Sequence, residues 1–347
     1  MSAACTTLTV RVTVRVTVRA CRVVWGRYAL LTRMVAQCCN LKAGEFVHTK
    51  CPNLCVLWFD PDGFDAYDRS PPLPADAAPG ATPAQAAAHG ATAVRVPRHG
   101  ARRLGGPGGS LVVDREDLNA ALTQIVIHYD GCGRSRACFE TLHRERGLSC
   151  HFLIDRDGRI YQTLDAIERA WHATRANDAS VGVELAHVGA VEEEDEKASE
   201  FRDDDDAGRF GKTIARGTVN GRRLAQSPFE DAQYEALARL TAALAREFPA
   251  LAETFGPREP EDTSAEAKLA AEIERVKNGE SLAEAEDKKR NERRRVRGEK
   301  LADAELRAFR GALGHWHVQA NKFDPGPAFD WDRYEARTRA LLAGETP

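Results

Sequence analysis

The sequence predicts an α/β fold in which helices flank a central, mixed β-sheet. Three features predict it: short apolar runs rich in β-branched residues, a tight-turn signal between two such runs, and one long amphipathic helix. The predicted strands and helices alternate along the chain from about residue 111, and such alternation is typical of a sheet covered by helices. We therefore expect an α/β domain over residues 111–340.

The first predicted strand is the apolar run Ile-Val-Ile-His-Tyr at 125–129, which glycines follow at 131 and 133. A helix with one apolar face is predicted over 134–146. Segments 151–155 and 159–163 should pair as a hairpin, because the Asp157-Gly158 dipeptide between them is a strong signal for a tight turn.

Two further elements complete the prediction. The run Ser-Val-Gly-Val-Glu-Leu at 180–185 is apolar and rich in valine, which indicates another strand. Residues 229–247 are predicted to form an amphipathic helix, with apolar side chains at 234, 237, 240 and 244. These elements favour a central sheet with helices packed against it.

The N-terminal residues 1–110 are expected to form an extension and a linker rich in Pro, Ala and Gly, partly disordered. Within them, residues 8–19 alternate an apolar residue with Thr or Arg, a strand-like pattern of low complexity. Three interpretations stay open for this repeat: an edge strand, a disordered arm, or a translated region upstream of the true start. We favour a segment at the periphery of the fold.

Two insertions should interrupt the domain, at 190–226 and 256–304. The first contains an acidic run at 192–206, for which a solvated loop is favoured over a cation site. The second is almost wholly charged and is predicted to be an exposed helical insertion laced with ion pairs. A nucleic-acid patch or a partner-binding helix is the alternative there, but acidic residues interleave with the basic ones and aromatic residues are absent.

The overall composition excludes several classes of partner. The 347 residues carry a net charge of −3, so no overall field indicates nucleic acid or an anionic membrane. No apolar run of about 18 residues occurs, so no transmembrane helix is predicted. Arg11, Arg15 and Arg19 interrupt every stretch that could be the core of a signal peptide. The expected location is cytoplasmic, or the cell envelope if the true start lies elsewhere.

The strongest chemical signal is the stretch 314–327, Gly-His-Trp-His-Val-Gln-Ala-Asn-Lys-Phe-Asp-Pro-Gly-Pro. It places His315, Lys322 and Asp324 within ten residues, and the Pro and Gly that follow favour a tight turn. Imidazole and carboxylate are ligands that zinc accepts, and a catalytic zinc typically uses three protein ligands. The best candidate for the third ligand is His128, far upstream in its apolar run.

Five blocks follow one another along the chain. They are His128 on its predicted strand, 150–161 (Cys-His-Phe-Leu-Ile-Asp-Arg-Asp-Gly-Arg-Ile-Tyr), 170–173 (Ala-Trp-His-Ala), 180–184 (Ser-Val-Gly-Val-Glu) and the stretch 314–327. In this order the chain resembles the zinc-dependent N-acetylmuramoyl-L-alanine amidase family, whose fold is shared with the peptidoglycan recognition proteins. The resemblance covers roughly residues 120–335, apart from the insertions.

The resemblance implies zinc as the cofactor and His128, His315 and Asp324 as its ligands. A histidine on a rigid strand and a His/Asp pair from one loop can converge on one tetrahedral ion, with a water completing the shell. His317 is the rival to His315. Because the Gly-His position matches the family's ligand, His317 is expected to lie behind the ligands or to face the substrate.

The resemblance also implies two catalytic residues. Glu184 ends a strand that is otherwise apolar, and burying a carboxylate there is costly unless it has a partner or a function. By resemblance it corresponds to the family's general base. The alternative is a carboxylate that forms a salt bridge at the end of the strand. Lys322 corresponds to the lysine that stabilises the oxyanion, with an exposed loop lysine as the alternative. Some members have a tyrosine where this chain has Cys150, and its absence here strengthens the expectation that Glu184 is the general base.

Three residues are expected near the substrate. By resemblance, Trp171 and His172 line the substrate groove, because an aromatic face beside a histidine suits a sugar ring or a peptide stem. For Trp171, packing in the core is an equal alternative. Asn177 is expected in the same loop, as a turn former or a polar contact.

The activity implied by the resemblance is hydrolysis of the amide bond between N-acetylmuramic acid and L-alanine in peptidoglycan or muropeptides. The alternative on the same fold is a non-catalytic peptidoglycan-binding receptor, although such members typically lack a metal ligand. The expected partner is therefore a peptidoglycan or muropeptide substrate. The sequence leaves open whether that substrate is polymeric wall or a soluble fragment, and it does not give the oligomeric state.

Overall fold

The computed structural model describes residues 55–67 except 59 and 61, 98–193 except 107 and 113, 214–258, 277, 279 and 296–345. All of them lie within one compact unit, His48–Pro347. The predictions made for the repeat at 8–19, for most of the acidic run and for most of the charged insertion lie outside the described residues.

Twelve strands occur in the described residues. In chain order they are β1 Cys55–Leu57, β2 His99–Ala101, β3 Gln124–Tyr129, β4 Phe152–Ile154, β5 Ile160–Gln162, β6 Glu168–Ala170, β7 Ser180–Leu185, β8 Val191–Glu192, β9 Ala215–Val219, β10 Arg222–Gln226, β11 Thr254–Phe255 and β12 Gly311–Gly314.

The central sheet combines seven of these strands in the order β1-β5-β4-β7-β3-β12-β11. Every neighbouring pair is parallel except β4 with β5, which is antiparallel. The predicted mixed sheet is therefore confirmed. The parallel core explains the near-continuous apolar runs of β3 and β7, because a strand covered on both faces has no solvent side to present polar residues to.

Five α-helices occur in the described residues. They are α1 Arg115–Ala121, α2 Ser135–Phe139, which continues as a π-helical turn over Glu140–Glu145, α3 Asp231–Glu247, α4 Asp303–Ala308 and α5 Trp331–Leu342. Short 3₁₀ turns cover Thr174–Ala176, Pro249–Ala252 and His315–His317. No helix of the described residues is both long and apolar enough to cross a bilayer.

The long helix α3 packs against α5. Thr241 of α3 and Tyr334 of α5 are buried, and their hydroxyl oxygens lie 2.6 Å apart. At the surface of the same pair, Arg337 donates to Glu235 at 2.6 Å. The amphipathic helix predicted over 229–247 is confirmed, and its apolar face is buried as the pattern requires.

The predicted hairpin is also confirmed, as the antiparallel pair β4 and β5. Its turn closes through the Gly158 N–H, which donates to the Asp155 carbonyl at 2.9 Å. Gly158 has a φ of 82°, a left-handed conformation that glycine adopts without a steric penalty. The Asp-Gly signal thus marks the correct position of the turn.

Two segments upstream of residue 111 contribute to the fold. β1 forms an edge of the central sheet by pairing with β5, and β2 pairs with β6 in a separate two-stranded sheet. The sequence assigned residues 1–110 to an extension and linker, because both strands are only three residues long and β2 lies in the segment rich in Pro, Ala and Gly. The first insertion contributes a sheet of its own, in the order β8-β10-β9.

Candidate metal centre and active site

Three adjacent parallel strands deliver the central residues of the site. His128 and Glu184 are register partners near the carboxyl ends of β3 and β7. His315 directly follows β12, which pairs with the other edge of β3. The site therefore lies at the carboxyl end of the sheet, where ligands bind in open α/β sheets.

Asp324 reaches the same point by a tight return of the chain after β12. The Trp316 N–H donates to the Asp324 carbonyl oxygen at 3.2 Å. Close packing makes this return possible, because a Cβ on Gly314 would lie 2.8 Å from the Pro325 ring. Only glycine at position 314 lets the two parts of the loop approach this closely.

Two imidazoles and one carboxylate converge at the centre of the site. The His128 Nδ1 lies 2.7 Å from the Asp324 Oδ2, and the His315 Nδ1 lies 3.0 Å from the same oxygen. All three residues are buried, and their ligand atoms lie within 4.8 Å of one another. Among the described residues, no other group of three His, Cys, Asp or Glu side chains could hold a metal ion in this way.

A chain of hydrogen bonds determines which nitrogen of His128 carries the proton. The Ser180 hydroxyl donates to the Ala176 carbonyl at 2.7 Å, so its oxygen accepts from the His172 Nε2 at 3.2 Å. The His172 Nδ1 is then an acceptor, and the His128 Nε2 donates to it at 3.0 Å. His128 therefore directs the lone pair of Nδ1 at Asp324.

The same assignment holds for His315. Its Nε2 donates to the amide oxygen of Gln319 at 2.8 Å, which leaves the lone pair of Nδ1 directed at Asp324. Burial, and then the charge of His315, lower the pKa of His128 to about 4, which disfavours a proton on Nδ1 at neutral pH. Three acceptors thus face one another, and a divalent cation satisfies all three. The N, N, O donor set fits zinc.

The charge on Asp324 suits such a cation. Burial alone would raise the pKa of this carboxyl, but the charge of His315 and the contacts with both imidazoles outweigh it and hold the pKa well below the ordinary value. Asp324 is therefore ionised at neutral pH. The carboxylate supplies one negative charge toward a cation, and the imidazoles supply nitrogen lone pairs.

Glu184 lies beside this cluster with a very different environment. It is 6% exposed, and within the described residues its carboxyl group makes no hydrogen bond. Burial raises the pKa of Glu184 well above the ordinary value, and the charges of Asp324 and Asp130 add to the effect. A nearby cation would lower that pKa again, so the group is suited to taking up and releasing a proton.

Lys322 is partly buried on the loop between His315 and Asp324. Its ammonium forms no ion pair or hydrogen bond with the described residues. Its charge nevertheless reaches the site, because it lowers the pKa of both Glu184 and His128. The backbone of Lys322 is held in place, since its carbonyl accepts from the Asn220 amide at 2.9 Å.

The four residues expected near the substrate take different positions. Trp171 is partly exposed, and the Arg169 guanidinium stacks on its ring at 4.1 Å. His172 lies behind His128 in the hydrogen-bond chain described above. The buried Asn177 accepts from the backbone N–H groups of His172 and Ala173, at 3.2 and 2.7 Å. Asn177 thus shapes the loop that carries both aromatic residues.

His317 is buried and turned away from the cluster. Its Nδ1 accepts from the Gly314 N–H at 2.9 Å, and its Nε2 donates to the Arg297 carbonyl at 2.8 Å. Both ring nitrogens are therefore engaged with the backbone. This arrangement does not favour the expected substrate contact, and it separates His317 clearly from its rival His315.

Cys150 is a buried thiol on the far side of His172. Burial raises the pKa of this thiol well above the ordinary value, so it remains neutral and is not among the converging ligands. A Cβ on Gly182 would lie 2.8 Å from the Cys150 Sγ and 2.7 Å from the His172 ring. Gly182 has no side chain and therefore leaves room for the His172 ring.

Several residues of the site escaped the sequence reasoning. They are Ser180 and Gln319, which determine the protonation of the two imidazoles, and Asn220, which holds the loop of Lys322. The Asn220-Gly221 pair was a turn signal available in the sequence, and Asn220 has a left-handed φ of 47°. No local pattern indicates what its side chain contacts.

Comparison with known proteins gives a family match. Residues 118–262 match the model of the N-acetylmuramoyl-L-alanine amidase family, Amidase_2. The matched segment contains His128, Trp171, His172 and Glu184 but ends before His315 and Asp324, because the charged insertion separates them. No curated protein matches the chain.

Three solved structures are similar to the chain at low identity. A selenomethionine derivative of AmpD is 21% identical, with 68% of this chain and 93% of that chain covered and a TM-score of 0.31. AmiD from E. coli, in complex with anhydro-N-acetylmuramic acid-L-Ala-D-γ-Glu-L-Lys, is 18% identical, with 70% and 72% covered and a TM-score of 0.33. The endolysin amidase LysCS from Clostridium intestinale URNW is 13% identical, with 64% and 86% covered and a TM-score of 0.31.

Proposed function

We propose that the chain is a zinc-dependent amidase, because residues 118–262 match the model of the N-acetylmuramoyl-L-alanine amidase family. Its reaction would be hydrolysis of the amide bond between the lactyl group of N-acetylmuramic acid and L-alanine. The C–N bond of the amide breaks, water supplies the new C–O bond, and the products are a lactyl carboxylate and the free amine of L-alanine.

The observation that carries this proposal is the convergence of three acceptors, the Nδ1 atoms of His128 and His315 and the Oδ2 of Asp324. These residues would hold the zinc ion. Bound there, zinc would act as a Lewis acid toward the amide carbonyl and lower the pKa of a water molecule. The hydrogen bonds to His172 and Gln319 keep both rings in the orientation that ligation requires.

Glu184 would act as the general base and then as the general acid. Its carboxylate takes a proton from the attacking water and passes it to the leaving nitrogen of L-alanine. The environment of Glu184 supports both steps, because burial favours its neutral form while the positive charge of Lys322 favours the ionised form. Opposing influences of this kind bring a carboxyl toward the pKa that proton transfer near neutral pH needs.

Lys322 would stabilise the negative charge that develops on the carbonyl oxygen. Its ammonium has no partner among the described residues that would compete for it, and its loop is anchored by Asn220. A preorganised cation at this position costs no rearrangement during the reaction, which is the basis of electrostatic catalysis. Trp171 would line the substrate groove, since its ring is partly exposed.

A combined metal and activity assay tests the proposal. Purified protein should contain about one zinc per chain, as three ligands at one centre imply, and should release the stem peptide from a purified muropeptide. Asp324→Asn should lose both zinc and activity. The control Asp332→Asn, on the exposed start of α5, should lose neither.

The same assay separates the rival function. A peptidoglycan-binding receptor would bind the muropeptide without releasing the stem peptide, and its zinc content would be near zero. Product masses from intact sacculi and from short muropeptides would then show which substrate the enzyme prefers. Cleavage of the short substrate alone would identify a soluble fragment as the substrate.

A further inference from the structure

Arg102 is a fully buried cation that lies outside the segment matched by the family model. Its side chain is 0% exposed, and it precedes the match at 118–262. A buried charge is costly unless surrounding groups replace its hydration.

The guanidinium contacts five backbone carbonyls, lies 3.4 Å from the His151 Nε2 and contacts no carboxylate. Its Nη1 donates to the carbonyls of Asn177 at 3.1 Å and Asp178 at 2.8 Å. Its Nη2 lies 3.1, 2.8 and 3.0 Å from the carbonyl oxygens of Ala166, Glu168 and Ser180.

These carbonyls belong to the two ends of one loop. Ala166 and Glu168 stand at its beginning, where β6 starts, while Asn177, Asp178 and Ser180 stand at its end, where β7 starts. A single guanidinium therefore joins both ends of the loop 166–180. Only the planar fork of an arginine presents enough donors for this, since lysine offers three donors from one nitrogen.

The loop carries the hydrogen-bond chain that orients His128. The Ser180 hydroxyl accepts from His172, and His172 in turn accepts from the His128 Nε2. Asn177 holds the backbone N–H of His172 at 3.2 Å. Arg102 thus contacts the carbonyls of the two residues, Asn177 and Ser180, that position His172.

We propose that Arg102 is a positioning residue of the metal centre, which holds the loop 166–180 so that His172 orients His128 as a ligand. This rests on the proposed function, because it takes His128 to be a zinc ligand. Arg102 itself does not contact the cluster. A segment upstream of the family domain therefore contributes to its metal affinity.

The first test is zinc affinity, measured by competition with a chromogenic chelator. Arg102→Met should weaken zinc binding about tenfold, the lower end of the effect seen when residues behind metal ligands are removed. Tyr334→Phe is the control, because it removes a buried hydrogen bond to Thr241 between α3 and α5. Tyr334→Phe should lower the melting temperature and leave zinc affinity within twofold of wild type.

A double variant distinguishes positioning from a general structural role. If Arg102 acts through His172, then Arg102→Met should add little to the loss of zinc affinity caused by His172→Gln. Independent losses that multiply in the double variant would overturn the proposal. So would an Arg102→Met protein that is folded and binds zinc as wild type does.

Arg102→Lys covers the case in which the methionine variant does not fold. It keeps a buried cation but loses the fork, and it should show the same weakened zinc binding. If neither variant folds, Arg102 is a folding residue and the proposal is overturned. Wild-type protein that binds no zinc would instead contradict the proposed function itself, so the two failures are distinguishable.

Discussion

His128 and Glu184 stand opposite each other on the parallel strands β3 and β7, near the carboxyl end of each strand. The candidate ligand and the candidate base are therefore fixed by the ladder of the sheet rather than by a mobile loop. Strand positions hold side chains more precisely than loops do. In the proposed function, this relationship would assign metal binding to His128 and proton transfer to Glu184.

Replacing Glu184 should therefore abolish activity and spare the metal. Glu184→Gln keeps the shape of the side chain and removes its basicity, so kcat should fall about a hundredfold to ten-thousandfold with zinc content unchanged. Zinc analysis and stem-peptide release check the two effects. Glu192→Gln, on the exposed end of β8, should behave as wild type. A fully active Glu184→Gln enzyme would show that another group is the base.

Replacing Lys322 should lower kcat more than it raises KM. In the proposed reaction its charge would stabilise the carbonyl oxygen as that oxygen becomes negative, so Lys322→Met should reduce kcat about a hundredfold. Steady-state kinetics on a purified muropeptide measure this. Lys300→Met removes a surface lysine that pairs with Asp303 and serves as the control. An effect confined to KM would make Lys322 a substrate-binding residue only.

Replacing His172 should weaken the metal centre rather than substrate binding. Its Nδ1 accepts from His128 and its Nε2 donates to Ser180, so His172→Gln should reduce zinc affinity about tenfold. At saturating zinc much of the activity should return. A raised KM with normal zinc affinity would support the original expectation that His172 lines the substrate groove.

Acid pH should destabilise the pair of helices α3 and α5. The hydrogen bond from Arg337 is the largest cause that lowers the pKa of Glu235 from 4.5 to about 2. Because the folded-state pKa lies below the unfolded value, this stabilisation is complete above about pH 4.5 and is lost as the pH falls toward 2.

Denaturant titration of Glu235→Gln tests this contribution. At pH 7 the variant should lose about 1 kcal/mol of unfolding free energy, since the ion pair is partly exposed, and the loss should shrink at pH 3. Glu253→Gln removes a more exposed pair with Arg310 and should change little at either pH. An equal loss at both pH values would show that ionisation of Glu235 is not the source of the stabilisation.

The sequence predicts the central sheet well because its strands are covered on both faces. The apolar runs at 125–129 and 180–185 indicate strands in the buried centre of the sheet, and the Asp-Gly pair marks the hairpin turn. The strands β1 and β2 were missed, because a strand of three residues is too short to show a periodic pattern.

The site was predictable only as far as its motifs extend. The spacing of His315, Lys322 and Asp324 indicated a common loop, and the structure brings His128 to it from 196 positions before Asp324. Contacts made by backbone carbonyls are invisible in a sequence, because every residue has one. This is why the roles of Arg102 and Asn220 emerge only from the folded chain.

In the proposed reaction, zinc bound by His128, His315 and Asp324 would enable cleavage of the lactyl–L-alanine amide. Mass spectrometry of a purified muropeptide, incubated with chelator-treated protein before and after addition of equimolar zinc, tests it most directly. The substrate should stay intact at first, and a free stem peptide and a sugar carboxylate should appear once zinc is added. Cleavage that persists in the chelator, or a substrate that stays intact with zinc, would contradict it.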